Sequence, residues 1–243
     1  MSTPRVFLAR HGETAWTLNG RHTGISEIPL TPHGETQVRQ AGRSLVGPGR
    51  LIDPSRLTRI YVSPRVRAQN TFLLLLAGCA GAPLEHVNVL VTEEIAEWGY
   101  GRYEGWFPAQ IREDRKARGL DKERPFDIWR DGCEDGEGPE GLKGESAEEV
   151  RVRLDNVIKE IRELQAPYMN GEKNVDVLLI SHGHLLRAFT KRWLGLELDF
   201  PLQMILEPGG IATLTYNHHN VEEPAFLLGG VFKDPTADVG GTE

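Results

Sequence analysis

Two hydrophobic periods alternate along the chain. Short apolar runs at Arg5–Ala9, Arg59–Val62 and Val175–Ser181 predict buried strands, because a sheet covered on both faces asks for near-continuous aliphatic and β-branched residues. The third run is the strongest, with Val175, Val177, Leu178, Leu179 and Ile180. Weaker patterns predict strands at His86–Val91, Ile211–Tyr216 and Ala225–Leu228. Between these runs the period lengthens to that of a helix. Pro32–Val46 has Thr31 to cap it, Pro32 in its first position and Gly47 to stop it. Pro64–Leu76 follows the second strand directly, and His184–Leu194 follows Val175–Ser181 and stops before Gly195. Ser146–Leu164 opens with the capping box Ser146-x-x-Glu149 and sets Val150, Leu154, Val157, Ile161 and Leu164 on one face.

Strand–helix alternation of this kind predicts a three-layer α/β/α sandwich around a largely parallel central sheet. In such sheets ligands bind outside the carboxyl ends of the strands. No internal repeat and no linker divides residues 1–243, so a single domain is expected. Within it, residues 99–145 are expected to form a lid-like insertion, Asp131–Gly144 a mobile loop, and 234–243 a flexible tail.

Charge and cysteine usage narrow the partners. At 243 residues the chain can bury one large core. A net charge of −7 argues against nucleic acid or an anionic membrane, both of which reward a basic face. It leaves room for a local arginine cluster that takes a small anionic substrate. Cys79 and Cys133, with no CxxC pair, fit a reducing compartment and argue against a disulfide scaffold or a cysteine zinc site. Met1-Ser2-Thr3-Pro4-Arg5 runs straight into the first strand, leaving no room for a signal segment, and the longest apolar stretch, Phe72–Ala82, is too short to span a bilayer. A cytoplasmic protein with a small-molecule partner is expected, and a homo-oligomer is left open.

The chemistry gathers at the strand ends. Arg10-His11-Gly12 follows the first strand, Ser63-Pro64-Arg65-Val66-Arg67 the second, and His182-Gly183-His184 the run ending at Ser181. The glycine-rich loop Glu93–Gly105 adds carboxylates and aromatic rings. Arginine offers a planar fork of donors that matches phosphate oxygens. A neutral imidazole can attack phosphorus, and glycine lets the backbone approach a ligand or take a positive φ.

With these spacings the chain resembles the histidine phosphatase superfamily, the phosphoglycerate-mutase-like branch 1. The residues that carry the resemblance span most of the chain: Arg10-His11-Gly12-Glu13-Thr14, the Gly20-Arg21 to Gly24 turn, Leu30-Thr31-x-x-Gly34-x-x-Gln37, Ser63-Pro64-x-x-Arg67-Ala68-x-x-Thr71, Glu97 before Gly101-x-x-Glu104-Gly105, Gly144-Glu145-Ser146, and Ser181-His182-Gly183. By position, the resemblance makes His11 the phosphorylated residue. It makes Arg10, Arg67 and His182 the phosphate pocket and Glu97 the proton donor. It implies no metal and no cofactor: Arg10, Arg67 and a protonated His182 would neutralise the phosphoryl oxygens. A sugar alkoxide leaves poorly, so Glu97 has to carry a proton to it and can then activate water.

Gly119–Glu134 and Gly209–Ala225 look like the fungal sedoheptulose-1,7-bisphosphatase group, which implies a phosphorylated ketose as substrate. Lys122, Arg124 and Arg130 then stand as candidates for a second phosphate, with an ion-paired lid alongside Asp121, Glu123 and Asp127 as the other reading. Arg65 reads either as a substrate contact or as a solvated neighbour of Arg67. Tyr100, His22 and Thr23 are expected on the substrate side. His184 reads as a helix-start histidine, since no third metal ligand accompanies His-x-His. Thr17, His22 and Asn70 depart from the pattern of many relatives, and Asp135–Lys143 looks inserted; these changes bear on the sugar, not on the phosphoryl chemistry. Two rival functions remain: a mutase primed by a bisphosphate, and a non-catalytic phosphate-binding relative.

Overall fold

The computed structural model describes residues 3–79, 84–137 and 142–229. Six strands form one sheet: β1 (Val6–Arg10), β2 (Leu57–Val62), β3 (Asn88–Val91), β4 (Asp176–Ser181), β5 (Ile211–Tyr216) and β6 (Pro224–Phe226), in the order β3-β2-β4-β1-β5-β6. The first four in that order run parallel, and β5 and β6 are antiparallel additions at one edge. The helices are α1 (Ala15–Asn19), α2 (Pro32–Leu45), α3 (Val66–Leu76), α4 (Pro108–Ala117), α5 (Ile128–Asp131), α6 (Ala147–Gln165) and α7 (Gly183–Trp193). The fold is the mixed α/β sandwich that the hydrophobic periods predict. No helix among the described residues is long and apolar enough to cross a membrane.

Side-chain alternation divides the core into two layers. Val6, Leu8, Val177 and Leu179 face α6 and α7, whereas Phe7, Ala9, Leu178 and Ile180 face α2 and α3. All six residues of β4 are buried, which is why its sequence is the most continuously apolar. Thr31 caps α2 by accepting the Gly34 amide at 2.9 Å, and the Ser146–Glu149 capping box opens α6. At the opposite end from the site, buried Asp176 takes Arg5 at 2.8 Å and Arg56 at 3.2 Å, so this core carboxylate is paired.

The segment after Glu97 differs from the expectation. It holds α4 and α5, for which the sequence periods are too short to be conspicuous. The described part of Asp131–Gly144 is not a free loop: Cys133 N donates to Glu145 O at 2.9 Å, Gly136 N to Leu142 O at 2.8 Å, and Gly144 N to Asp135 Oδ1 at 2.8 Å. The tail expected at 234–243 lies outside the described residues.

Candidate active site

Strand register brings the site together. Arg10 stands opposite Ser181, and Val62 opposite Ile180, so the next residues on three adjacent parallel strands, His11, Ser63 and His182, emerge side by side. Backbone bonds continue the ladder past the strand ends, His11 N to Ser181 O at 2.9 Å and Ser63 N to Ile180 O at 3.0 Å.

His11 is 4 % exposed, and its Nδ1 lies 2.8 Å from the Gly12 carbonyl. A carbonyl only accepts, so Nδ1 carries the hydrogen and Nε2 keeps its lone pair. Burial, then the positive charges of Arg67 and Arg10, hold its pKa well below the usual histidine value. This is a neutral imidazole with a free nucleophilic nitrogen. Gly12 is required for a reason other than positive φ: a Cβ there would meet Val38 Cγ2 at 2.7 Å and Gly34 O at 2.8 Å, so the residue allows the start of α2 to pack against the strand end.

Arg67 is fully buried and fixes the opposite wall. Its Nη atoms donate to the carbonyls of Thr23, Gly24 and Ser26, each at 2.9 Å, and its Nε donates to His182 Nδ1 at 3.1 Å. The guanidinium can only donate, so His182 Nδ1 is an acceptor and the ring is neutral, with its hydrogen on Nε2, 2.6 Å from Ser63 Oγ. Burial and Arg67 push the His182 pKa well down, in agreement. The protonated His182 expected from the sequence is therefore corrected: its ring adds no positive charge here. It orients Arg67 and occupies a lone pair of Ser63, whose own hydroxyl proton stays available for donation.

Glu97 is 8 % exposed and sits on the first turn of α7. Its Oε1 accepts from Trp98 N and Leu185 N, both at 2.9 Å, and its Oε2 from His184 N at 3.1 Å. A helix N-terminus offers unpaired amides to an acidic group, which places this side chain securely. The loop behind it is clamped by Glu145, which accepts Gly99 N at 2.7 Å and both Nε and Nη2 of Arg153 at 2.8 and 2.9 Å. Tyr100, almost fully buried, has its hydroxyl 2.7 Å from His184 Nδ1 and its ring edge-on to His22 at 4.8 Å. Burial raises the Tyr100 pKa well above its usual value and lowers that of His184 well below, so this pair is neutral.

A fork of arginines, a neutral nucleophilic imidazole and a carboxylate around one cleft suit phosphoryl transfer. The comparisons with known proteins name the family. Residues 6–225 match the histidine phosphatase superfamily (branch 1). The chain belongs to that superfamily. It is 35 % identical to sedoheptulose 1,7-bisphosphatase of Saccharomyces cerevisiae, over 96 % of this chain and 95 % of the yeast protein. It is 36 % identical to an acid phosphatase of Mycobacterium tuberculosis, over 88 % of this chain and 87 % of that protein. Among solved structures, that of the product of open reading frame Rv3214 from Mycobacterium tuberculosis superposes with a TM-score of 0.69 at 31 % identity, covering 94 % of this chain and 98 % of that one. The protein is thus a phosphoric monoester hydrolase of the histidine phosphatase type, acting on a small phosphorylated substrate.

In this histidine phosphatase the cleft is a cavity of about 880 Å³. Arg10, His11, Glu97, His22, Thr23 and Tyr100 line it, as does Lys122, while Arg67 and His182 lie fully buried behind its wall. Three expected substrate contacts are not brought there. Arg65 pairs with Glu93 at 2.8 Å and turns towards Glu27. Arg130 is held by Asp131 at 2.8 Å and by the Pro125 carbonyl. Arg124 is exposed and is not part of the lining. Glu104 is a structural acceptor that binds the amides of Gly24 and Ser26 at 2.9–3.0 Å and so shapes the turn holding Arg67. His184, Arg21, Arg112, Lys116 and Arg187 also line the cavity. Nothing in the sequence pattern marks Arg112, Lys116 and Arg187, whose helices lie far apart in the chain, whereas Arg21 and His184 stand in the Gly20-Arg21 turn and the His182-Gly183-His184 run; Ser63 and Glu145 carry a signal only through their places in Ser-Pro-x-x-Arg and Gly-Glu-Ser.

Proposed function

We propose that the protein removes a phosphate from a phosphorylated sugar, a ketose bisphosphate of the sedoheptulose-1,7-bisphosphate type, through a phosphohistidine on His11. The observation that carries this reading is the Nδ1–Gly12 hydrogen bond, which leaves Nε2 of a neutral, buried His11 in the cavity. Nε2 forms a bond to phosphorus as the ester P–O bond breaks, and the departing alkoxide takes a proton from Glu97. Glu97 Oε2, with one amide contact against two on Oε1, has the spare lone pair to carry that proton. The resulting carboxylate then takes a proton from water, whose oxygen attacks phosphorus. The P–N bond breaks, and inorganic phosphate, neutral His11 and protonated Glu97 result.

Charge on the transferring group is met by Arg10, Arg67 and the Ser63 hydroxyl. Arg10 Nε is buried with no acceptor among the described residues, a donor that a phosphoryl oxygen would satisfy. These groups supply the neutralisation without a metal, and among the described residues no three His, Cys, Asp or Glu side chains converge as a metal site. The likeness to the yeast protein over nearly the whole chain supports a ketose bisphosphate as substrate.

The test is phosphate release over sugar mono- and bisphosphates, glycerate phosphates and phosphopeptides, with chelator present and no priming bisphosphate. Ketose bisphosphates are expected to give the highest kcat/KM. Isomerised ester with little free phosphate would instead identify a mutase, and a preference for phosphopeptides would overturn the sugar assignment.

A further inference from the structure

Apart from the exposed Arg124, the cations between Glu97 and Asp131 fall into two groups. Arg102 pairs with Asp114 at 3.0 Å, Arg115 with Asp121 at 2.7 Å, Arg118 with Glu134 at 2.5 Å, and Arg130 with Asp131 at 2.8 Å. Arg112, Lys116 and Lys122 have no carboxylate partner among the described residues, and all three line the cavity that contains His11. The matched arginines brace the segment, Arg124 points to solvent, and Arg112, Lys116 and Lys122 face the ligand space.

Local geometry explains how three cations reach one wall. Arg112 and Lys116 are four residues apart on α4, hence on one face and about one helical turn from each other. The chain then reverses at Gly119 and Asp121, both with positive φ (71° and 60°). Asp121 is locked there by Arg115, whose Nε lies 2.9–3.0 Å from its two oxygens. Lys122 folds back over the end of α4, close enough that a Cβ on Gly119 would stand 3.7 Å from its Nζ. Like charges at such spacing repel. Their attraction to the carbonyl end of α4 offsets part of this, but Arg112 lies a turn earlier and has no share in it. An anion in the cavity would relieve the repulsion.

The surroundings favour the same ligand class. Arg10, Arg21 and Arg187 also line the cavity, against the carboxylates of Glu97, Asp121 and Asp127. Asp121 is spent on Arg115 and Asp127 on capping α5 through Trp129 N. In a chain of net charge −7, this is a local positive field that concentrates anions. Its volume of about 880 Å³ lies in the range that holds an entire small ligand, which runs from roughly 300 to 1,000 Å³.

We propose that Arg112, Lys116 and Lys122 form a second anion subsite that binds the non-reacting phosphate of a doubly phosphorylated sugar while His11 attacks the other. The inference rests on the reading of His11 as the phosphate-accepting residue. Arg112 offers a fork to two oxygens, and the lysines act as mobile point charges. Binding energy from this remote phosphate holds the reacting one in line, so the subsite sets specificity for bisphosphates.

The test compares the intact enzyme with the triple variant Arg112→Gln, Lys116→Gln, Lys122→Gln on fructose 1,6-bisphosphate, fructose 1-phosphate and 4-nitrophenyl phosphate. The subsite predicts a fall of at least about tenfold in kcat/KM for the bisphosphate, with the other two substrates changed by less than about twofold. It also predicts about tenfold weaker calorimetric binding of fructose 1,6-bisphosphate when the three substitutions are added to His11→Ala, a comparison independent of turnover. Equal losses on all three substrates, or undiminished bisphosphate binding in the quadruple variant, would overturn the subsite. Failure of the underlying reading has a different signature: 4-nitrophenyl phosphate turnover that survives His11→Ala.

Discussion

Arg67 Nε lies 3.1 Å from His182 Nδ1, and because a guanidinium cannot accept, the contact sets the tautomer of a fully buried histidine. The ring then presents Nε2–H to Ser63 at 2.6 Å. Arg67 thus does three things with one side chain: it supplies charge, orients His182, and closes the 23–26 turn through three carbonyls.

Arg67→Lys keeps the charge and loses the fork. We expect kcat/KM on 4-nitrophenyl phosphate to fall at least about 100-fold. The nitrogen NMR signal of His182 Nδ1 should move from that of a hydrogen-bonded acceptor. Near-full activity with an unchanged His182 spectrum would show that charge alone suffices.

Glu97→Gln places an amide NH2 against one of three backbone N–H groups that now donate to the carboxylate. Sugar phosphates, whose alkoxides need a proton, should lose about 10²–10⁴-fold in the phosphoryl-transfer step. The same step with 4-nitrophenyl phosphate, whose leaving group needs no acid, should lose far less. Equal single-turnover losses on both substrates would remove Glu97 as the acid.

The strand ends were legible in the sequence because parallel strands buried on both faces leave unbroken apolar runs, and the residues after them must share a sheet edge. Arg10, His11, Arg67 and His182 stand just after those runs, and the resemblance to the histidine phosphatase superfamily is what singles out Glu97 among the carboxylates of its loop. The protonation of His182 was not legible, since it depends on an Arg67 hydrogen bond that spacing alone does not determine. The α4 wall was equally hidden. Lys122 could be singled out from its local sequence, but Arg112 and Lys116 meet it only through the reversal at Gly119 and Asp121, whereas Arg130, equally prominent in sequence, is taken up by Asp131.

Two buried histidines and a third that is half-buried make stability depend on pH. His11, His182 and His184 are held well below the ordinary 6.5, chiefly by burial. Below pH 6.5 the unfolded chain gains protons that the folded chain refuses, so stability is complete above that value and declines as pH falls beneath it. Each such histidine adds a slope of about 1.4 kcal/mol per pH unit. Carboxylates held low by arginines, such as Asp114, act in the same direction only at pH values below about 4. Urea midpoints should drop between pH 7.5 and 5.5, and His184→Gln should shallow the slope. A flat profile over that range would contradict neutral burial.

Gly12→Ala should cost about 1–3 kcal/mol of stability, since the added methyl meets Val38 and Gly34 at under 3 Å. Thermal unfolding gives the measurement; an unchanged Tm would mean that α2 can yield without cost.

The central claim is that His11 Nε2 takes the phosphoryl group. It is tested most directly by quenching Glu97→Gln in alkali during turnover of 4-nitrophenyl phosphate, where breakdown of the intermediate is slowed, and locating the phosphate by peptide mass spectrometry. An alkali-stable, acid-labile phosphoryl group on His11, absent from the His11→Ala form, is predicted. A phosphoryl group on any other residue, or full turnover by His11→Ala, would contradict it.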